Sequence, residues 1–225
     1  MIKTITTYQQ QAYEFMRQQI LSLGYKPGEF ITDTQIAGKL GISRTPVREA
    51  FHRLEKEGLL VNQVNRGWRI YYLSLSDIHE IFDIKEAVEG MVARHAAACR
   101  NENLRDELRQ ALSEMTEAAQ GEDTDTWLRA DQHLHNVLFS MADNERAHRI
   151  VDNLNDQWHR VRVGFTALHG RRGRSIQEHK EFVDCILAGD GEQAESLMRT
   201  HLNRVRDELV HLLVNLVLPF VDEGV

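Results

Sequence analysis

Proline is scarce in this chain, with three in 225 residues, and glycine is modest at 14. An interior proline removes a helix hydrogen bond and clashes with the preceding turn, so a chain this poor in breakers can hold long unbroken helices. Cysteine is scarcer still. The only two, Cys99 and Cys185, exclude a disulfide scaffold and a cysteine-ligated zinc site, and they fit a reducing cytoplasm. Long apolar runs are missing too. The richest stretch, 209–221, is interrupted by His211, Asn215 and Pro219 and falls short of the roughly 20 apolar residues that span a bilayer. No membrane association is therefore expected. The opening residues MIKTITTYQQQ contain no apolar signal core. What is present is 42% hydrophobic and 27% charged residues, the balance of a globular chain with enough length for one large or two ordinary domains.

Positive charge is also short overall, since the net charge is −7. Taken whole, that argues against nucleic acid as a partner. The deficit is uneven, however. Residues 1–73 carry ten Lys/Arg against six Asp/Glu, or +4, which leaves 17 against 28, or −11, for residues 74–225. Ten of the 11 histidines lie in the acidic part. A basic segment joined to an acidic one suggests a nucleic-acid reader attached to a second domain.

Within the basic segment the apolar spacing predicts a helix over Tyr8–Leu23, with Tyr13, Met16, Ile20 and Leu23 on its inner face and Gly24 at its end. Pro27-Gly28 turns the chain. A short helix follows with Ile36, Ala37 and Leu40 inward and Thr32 or Asp33 as N-cap. Gly41-Ile42-Ser43 is a tight turn, and Ser43 can cap a third helix whose inner face is Val47, Ala50, Phe51 and Leu54. This is a helix-turn-helix pattern. Arg44, Thr45 and Arg48 stand on the outer face at the start of the second of these two helices. That end of a recognition helix meets base edges in the major groove, where arginine can donate two hydrogen bonds to guanine. Leu59–Val64 and Trp68–Tyr72 read as two strands around Asn65-Arg66-Gly67, a hairpin wing with Arg66 at its tip.

These residues resemble the winged-helix domain of the GntR family of bacterial transcription regulators. The match runs through Lys26-Pro27-Gly28-Glu29, the core Gly41-Ile42-Ser43-Arg44-Thr45-Pro46-Val47-Arg48-Glu49-Ala50, Glu57-Gly58-Leu59 and Arg66-Gly67. The resemblance implies double-stranded operator DNA as partner, contacts from Arg44, Thr45 and Arg48, and support from Ser43 and Gly67. Thr34 stands where the family often has an arginine, so a phosphate contact there is lost or passes to a hydroxyl.

From Ser76 onward the pattern is helical, with segments near 77–99, 101–120, 125–142, 145–169, 175–188 and 190–219. Ser76 can cap the first. Asp131 and His135 lie four apart on the inward stripe of the third segment, and His179 and His201 lie on the inward stripes of the fifth and sixth. Two readings are open. Inward histidines are ordinarily hydrogen-bonded core residues, whereas three imidazoles and one carboxylate on facing helices also make a donor set for zinc, nickel, manganese or iron. His95 follows Ile81 and Val88 by sevens and is expected to face inward, as is Lys85 in line with Ile78, Val92 and Cys99. Glu89, four residues on, can pair with Lys85.

This segment resembles the FCD domain of the FadR-like branch of the same family, through Asp131-x-x-x-His135, Glu178-His179, Ala188-Gly189-Asp190 and Met198-Arg199-x-His201-Leu202. The resemblance implies a divalent metal ion, zinc first, on Asp131, His135, His179 and His201. It also implies a small organic acid effector completing the coordination shell, with Lys85 where the family commonly has an effector-binding arginine. Asn155 and Arg162 lie along one side of their helix and are further effector candidates. The expected protein is mainly α, with a winged helix-turn-helix over 1–73, a linker at 74–76 and an antiparallel six-helix bundle over 77–225. It is a cytoplasmic homodimer that binds operator DNA, more often a repressor than an activator, and a metal-responsive regulator is the alternative. No enzymatic activity is expected: there is no HExxH, no nucleophile motif, no phosphate loop and no general base beside the four candidate ligands.

Overall fold

Short local signals start and stop each element of the computed structural model, which describes residues 7–64, 66–121, 123–166 and 171–214. The described chain falls into two compact units that divide between Ser74 and Leu75, with residues 156–160 grouped with the first. The first unit contains α1 (Tyr8–Leu21), β1 (Phe30–Ile31), α2 (Asp33–Leu40), α3 (Arg44–Lys56), β2 (Leu60–Gln63) and β3 (Gly67–Ile70). Thr7 caps α1 by accepting from the Gln10 amide. Thr32 and Gln35 form a reciprocal capping box on α2, which satisfies two amides that a helix start otherwise leaves unpaired. Gly41 ends α2 with φ +68°, a left-handed conformation that costs glycine little, and the chain turns straight into α3.

Ala12, Met16, Ile20, Ile36, Val47 and Phe51 join the inner faces of the three helices in one core. Trp68 closes it from β3, edge-on to Phe51 with ring centroids 5.4 Å apart. Each fully buried side chain of this size contributes about 1.5–3 kcal/mol by leaving water. Leu23 does not join them, contrary to the helical spacing. The helix has ended at Leu21, and Leu23 sits at φ +60° and is exposed.

The wing is a three-stranded antiparallel sheet in the order β1-β3-β2, with Leu60 opposite Ile70, Gln63 opposite Gly67 and Ile31 opposite Trp68. Strand β1 is an addition to the expected hairpin. Two residues have no readable period. They are recruited because the Pro27-Gly28 turn delivers them to β3, where the Gly28 amide donates to the Ile70 carbonyl and the Ile70 amide to the Glu29 carbonyl. Gly67 has φ +90°, and a Cβ there would lie 2.8 Å from the Ile31 carbonyl oxygen, so the close strand crossing itself requires glycine.

The second unit consists of α4 (Leu75–Ala96), α5 (Glu102–Gln120), α6 (Thr124–Ala142), α7 (Glu145–Thr166) apart from residues 156–160, α8 (Arg171–Ala188) and α9 (Gly191–Leu212). Helix α4 packs along α9 and against α6, α5 packs on α6 and α8, and α8 packs on α9. Asn101, Asp123 and Asp190 cap α5, α6 and α9 through their side chains. Helix α4 begins at Leu75, so Ser76 lies within its first turn rather than at its cap and donates to Glu80 Oε1 at 3.2 Å. Helix α8 begins four residues earlier than expected, at Arg171. His95 is exposed, against the sevenfold spacing that points it inward. A straight helix drifts about 20° per seven residues, and two such steps from Ile81 carry His95 around to the solvent side in the last turn of α4. The expected helix ends at 169 and 219, and Asn65 of the wing turn, lie outside the described residues.

Candidate functional site

Two constellations of charged and titratable groups stand out, one in each unit. In the first, Ser43 holds the N-cap position of α3 by its backbone, but its exposed hydroxyl makes no cap bond, contrary to the sequence expectation. Arg44, Thr45 and Arg48 are all exposed on the face that α3 turns to solvent. Thr34 is exposed on α2, and Arg66 is exposed beside the β2–β3 turn. A polar hollow of about 550 Å³ is lined by Thr34, Arg44, Arg48, His52, Asn62 and Gly67, with Asp33 buried in its floor. Helices α2 and α3 and the wing thus bring Thr34, Arg44, Arg48 and Gly67 to one concave face, whereas Ser43, Thr45 and Arg66 do not line it.

The sequence marks Asp33 only as a possible cap. Its Oδ1 accepts from Arg44 Nε and its Oδ2 from Arg44 Nη2, both at 3.2 Å, and Oδ2 also accepts from Arg48 Nε. Burial pushes this carboxyl up, and the two guanidiniums outweigh burial and hold it below the usual carboxylate range.

In the second unit, α6, α8 and α9 bring one nitrogen from each of His135, His179 and His201 within 4.8 Å of the others. His135 Nε2 and His179 Nε2 are 3.2 Å apart. The remaining ring nitrogens are engaged outward. His135 Nδ1 lies 2.9 Å from Glu89 Oε2, His179 Nδ1 lies 2.7 Å from the Ser175 carbonyl, and His201 Nδ1 lies 2.6 Å from Glu178 Oε2. Acceptors at all three Nδ1 positions place the protons there and leave three Nε2 lone pairs turned toward one another. That arrangement is repulsive by itself and favours a cation. Outer partners of this kind fix the tautomer and orientation of metal-binding imidazoles. Two ligands on a tetrahedral ion with bonds of about 2.0–2.1 Å lie about 3.3 Å apart, close to the His135–His179 separation. Asp131, the fourth predicted ligand, lies at the edge of this cluster and is not one of the groups within 4.8 Å of one another: its Oδ1 is 3.4 Å from His179 Nε2, while its Oδ2 accepts from Arg162. The three-imidazole set, with a carboxylate at its edge, therefore fits a divalent transition metal ion.

The three effector candidates surround the same cluster. Lys85 is buried and donates to Glu89 Oε1 at 2.5 Å and to Asn155 Oδ1 at 2.7 Å. Lys85 therefore takes the pairing with Glu89, one of the two roles that its sequence leaves open. Arg162 is buried against Asp131. Burial pushes Glu89 up, and Lys85 and His135 outweigh it to hold the carboxyl at about 2. Asp131 is likewise held below the usual range, with Arg162 the largest of the charges that overcome its burial. Burial pushes His179 well down, assisted by the neighbouring His201, and His201 itself is lowered by burial despite Glu178. Neutral imidazoles are the form that binds metal.

The outer partners Glu89, Ser175 and Glu178 have no role toward the histidines that the sequence alone assigns. Glu178 lies one residue from His179 yet serves His201 on the facing helix, and only the tertiary fold makes that pairing. Glu89 does carry a signal, since a carboxylate four residues after an inward lysine shares its helix face.

Comparison with known proteins agrees with both units. Residues 8–70 match the family described as bacterial regulatory proteins, gntR family, and residues 80–204 match the FCD domain. The HTH-type transcriptional regulator YdhC of Bacillus subtilis (strain 168) is 30% identical over 210 residues, covering 92% of this chain and 93% of that protein. The HTH-type transcriptional repressor RspR of Escherichia coli (strain K12) is 26% identical over 200 residues, covering 89% and 88%. A crystal structure of a transcriptional regulator GntR from Rhodococcus sp. RHA1 shares the fold with a TM-score of 0.74 at 23% identity, over 90% of this chain and 97% of that one. No helix among the described residues is long and apolar enough to cross a membrane. The chain belongs to the GntR family of bacterial transcription regulators, with the FCD domain of its FadR-like branch.

Proposed function

We propose that this regulator is a cytoplasmic repressor that binds a two-fold operator as a homodimer and responds to a small organic acid at a metal-containing FCD domain. In this reading residues 1–73 read DNA, 74–76 link, and 77–225 bind metal and effector and carry the dimer contact. Arg44 and Arg48 read base edges, Thr45 and Ser43 hold phosphate or base, and Thr34, Arg66 and the Gly67 backbone flank them. The +4 charge of this part supports the assignment. The repressor sign follows the relative RspR, whose name carries that role.

Asp131, His135, His179 and His201 would hold the metal, with zinc the first choice for this donor set. The observation that carries the reading is the outward engagement of all three Nδ1 atoms, which leaves the three opposite nitrogens for one ion. When bound, the ion would supply a Lewis-acidic position for an effector carboxylate. Lys85 and Arg162 supply the complementary positive charges beside it. Each is already neutralised by an internal carboxylate, Glu89 and Asp131 respectively. An incoming acid therefore competes with those carboxylates, and the exchange of ion pairs is the local change that effector binding imposes. Such a change alters operator affinity when the two operator-binding states differ in effector affinity.

The test is mass spectrometry of small molecules that co-purify with the protein, followed by titration of those acids into a complex with duplex DNA. The expected result is release of a specific duplex by at least one acid that is recovered chemically unchanged. Specific binding that no co-purified or added carboxylic acid alters would overturn effector control at this site.

A further inference from the structure

The reading face of α3 is basic in purpose, yet its centre contains a carboxylate. Asp33 is the first residue of α2, held in place by the Thr32–Gln35 capping box, and Thr34 Oγ1 donates to its Oδ1 at 3.2 Å. Its side chain is 10% exposed, whereas those of Arg44 and Arg48 are 54% and 57% exposed. The carboxylate therefore lies beneath two guanidiniums whose outer edges face solvent. Arg44 engages it with Nε and Nη2, the lateral edge of the group, and Arg48 engages it with Nε. Among the described residues nothing bonds the two terminal nitrogens of Arg48, and these form the end-on fork that matches guanine O6 and N7.

We infer that Asp33 is a positioning residue for sequence reading: it holds Arg44 and Arg48 side by side with their donor edges aimed outward, and so exchanges raw DNA affinity for discrimination between sequences. The physical grounds are threefold. Arg44 and Arg48 are four apart on one helix face, where two like charges repel unless a counter-charge lies between them. An arginine side chain left loose must lose its rotamer freedom on binding, and a guanidinium already fixed at one edge loses less. A carboxylate in a phosphate-facing surface also weakens every complex held by charge alone, which lowers the non-specific background more than the specific complex.

This inference rests on the assignment of α3 as the reading helix, and the experiment separates the two. The wild-type full-length protein is used to enrich a specific duplex from a randomised DNA pool. Affinities are then measured for that duplex and for a scrambled duplex of equal composition, across a salt series, for wild type and Asp33→Asn. Failure of the wild type to enrich any sequence contradicts the reading helix itself. If enrichment succeeds, Asp33→Asn is expected to bind scrambled DNA several-fold more tightly, with a salt dependence steeper by about one unit per protomer. Its ratio of specific to scrambled affinity is expected to fall about tenfold. Equal changes in both affinities, in either direction, would show a structural or merely electrostatic role and overturn the proposal, as would an unchanged ratio. Thermal melting accompanies each measurement. If Asp33→Asn does not fold, Asp33→Ser, a residue compatible with a helix start, is measured in the same way. Asp33→Glu, which restores the carboxylate, is expected to recover most of the ratio.

Discussion

Arginine–carboxylate pairs occur in both units, and their surroundings give them opposite properties. On the reading face, Arg44 and Arg48 keep more than half of their side-chain surface in water while one carboxylate secures them from below. In the helical unit the Lys85–Glu89 side chains are 4% and 3% exposed, and Arg162 and Asp131 are each 11% exposed. Water reaches the first set, so its arginines can offer their outer donor edges to phosphate or base without giving up the carboxylate beneath them. The second set lies where charges interact strongly and where an unpaired one is expensive. The same chemistry thus serves the positioning of accessible donors at the surface and a stiff, high-cost exchange inside.

The contrast is broken most strongly inside. Lys85→Met leaves Glu89 buried without its main counter-charge and should destabilise the helical unit by about 3–5 kcal/mol, read from urea denaturation. The double variant Lys85→Met/Glu89→Leu should recover most of that loss, because removing both charges removes the desolvation problem. A double variant as unstable as the single one would mean that packing, not charge, is at stake. Next in size, Glu178→Gln should weaken metal binding about 10–100-fold through His201, measured by competition with a chelator, while duplex affinity in the absence of effector stays near wild type.

On the exposed side, Arg48→Ala should cost about 1–3 kcal/mol in binding a selected duplex. Its thermal midpoint should stay close to wild type, since an exposed side chain rarely contributes more than about 0.5 kcal/mol to folding. A large drop in stability would contradict the contrast between the two units. The smallest effect concerns acid. The two arginines depress the Asp33 carboxyl, so it binds fewer protons folded than unfolded over the interval between its two pKa values. Its stabilising contribution is therefore complete above the unfolded value of about 3.9 and is lost as pH falls through the folded value. Asp33→Asn should flatten the acid limb of the first unit's stability and lower its neutral plateau by the small amount that the wild type loses in acid, as checked by pH-dependent melting of the wing tryptophan signal.

Patterns carried within one element are legible in the sequence. Val47, Ala50, Phe51 and Leu54 share a helix face by period alone, and all are buried. Asp131 and His135 share a helix face by their spacing, and His179 and His201 fall on apolar stripes for the same reason. Patterns made between elements are not legible. The pairing of His201 with Glu178 joins two helices, and the seat of Asp33 beneath Arg44 and Arg48 spans the turn between α2 and α3. Strand β1 has only two residues and exists because β3 offers an unpaired edge. His95 and Leu23 show the other failure. A period extended to a helix terminus ignores drift and termination, which decide where the last side chain points.

The central claim, that the three inward-facing histidines form one metal centre, is tested most directly by elemental mass spectrometry of purified protein after dialysis, beside His179→Ala. About one divalent transition metal ion per chain, lost in His179→Ala while that variant still folds its reading unit, is the predicted result. A metal-free, fully folded wild type that takes up no zinc, nickel, manganese or iron when these are added would contradict it.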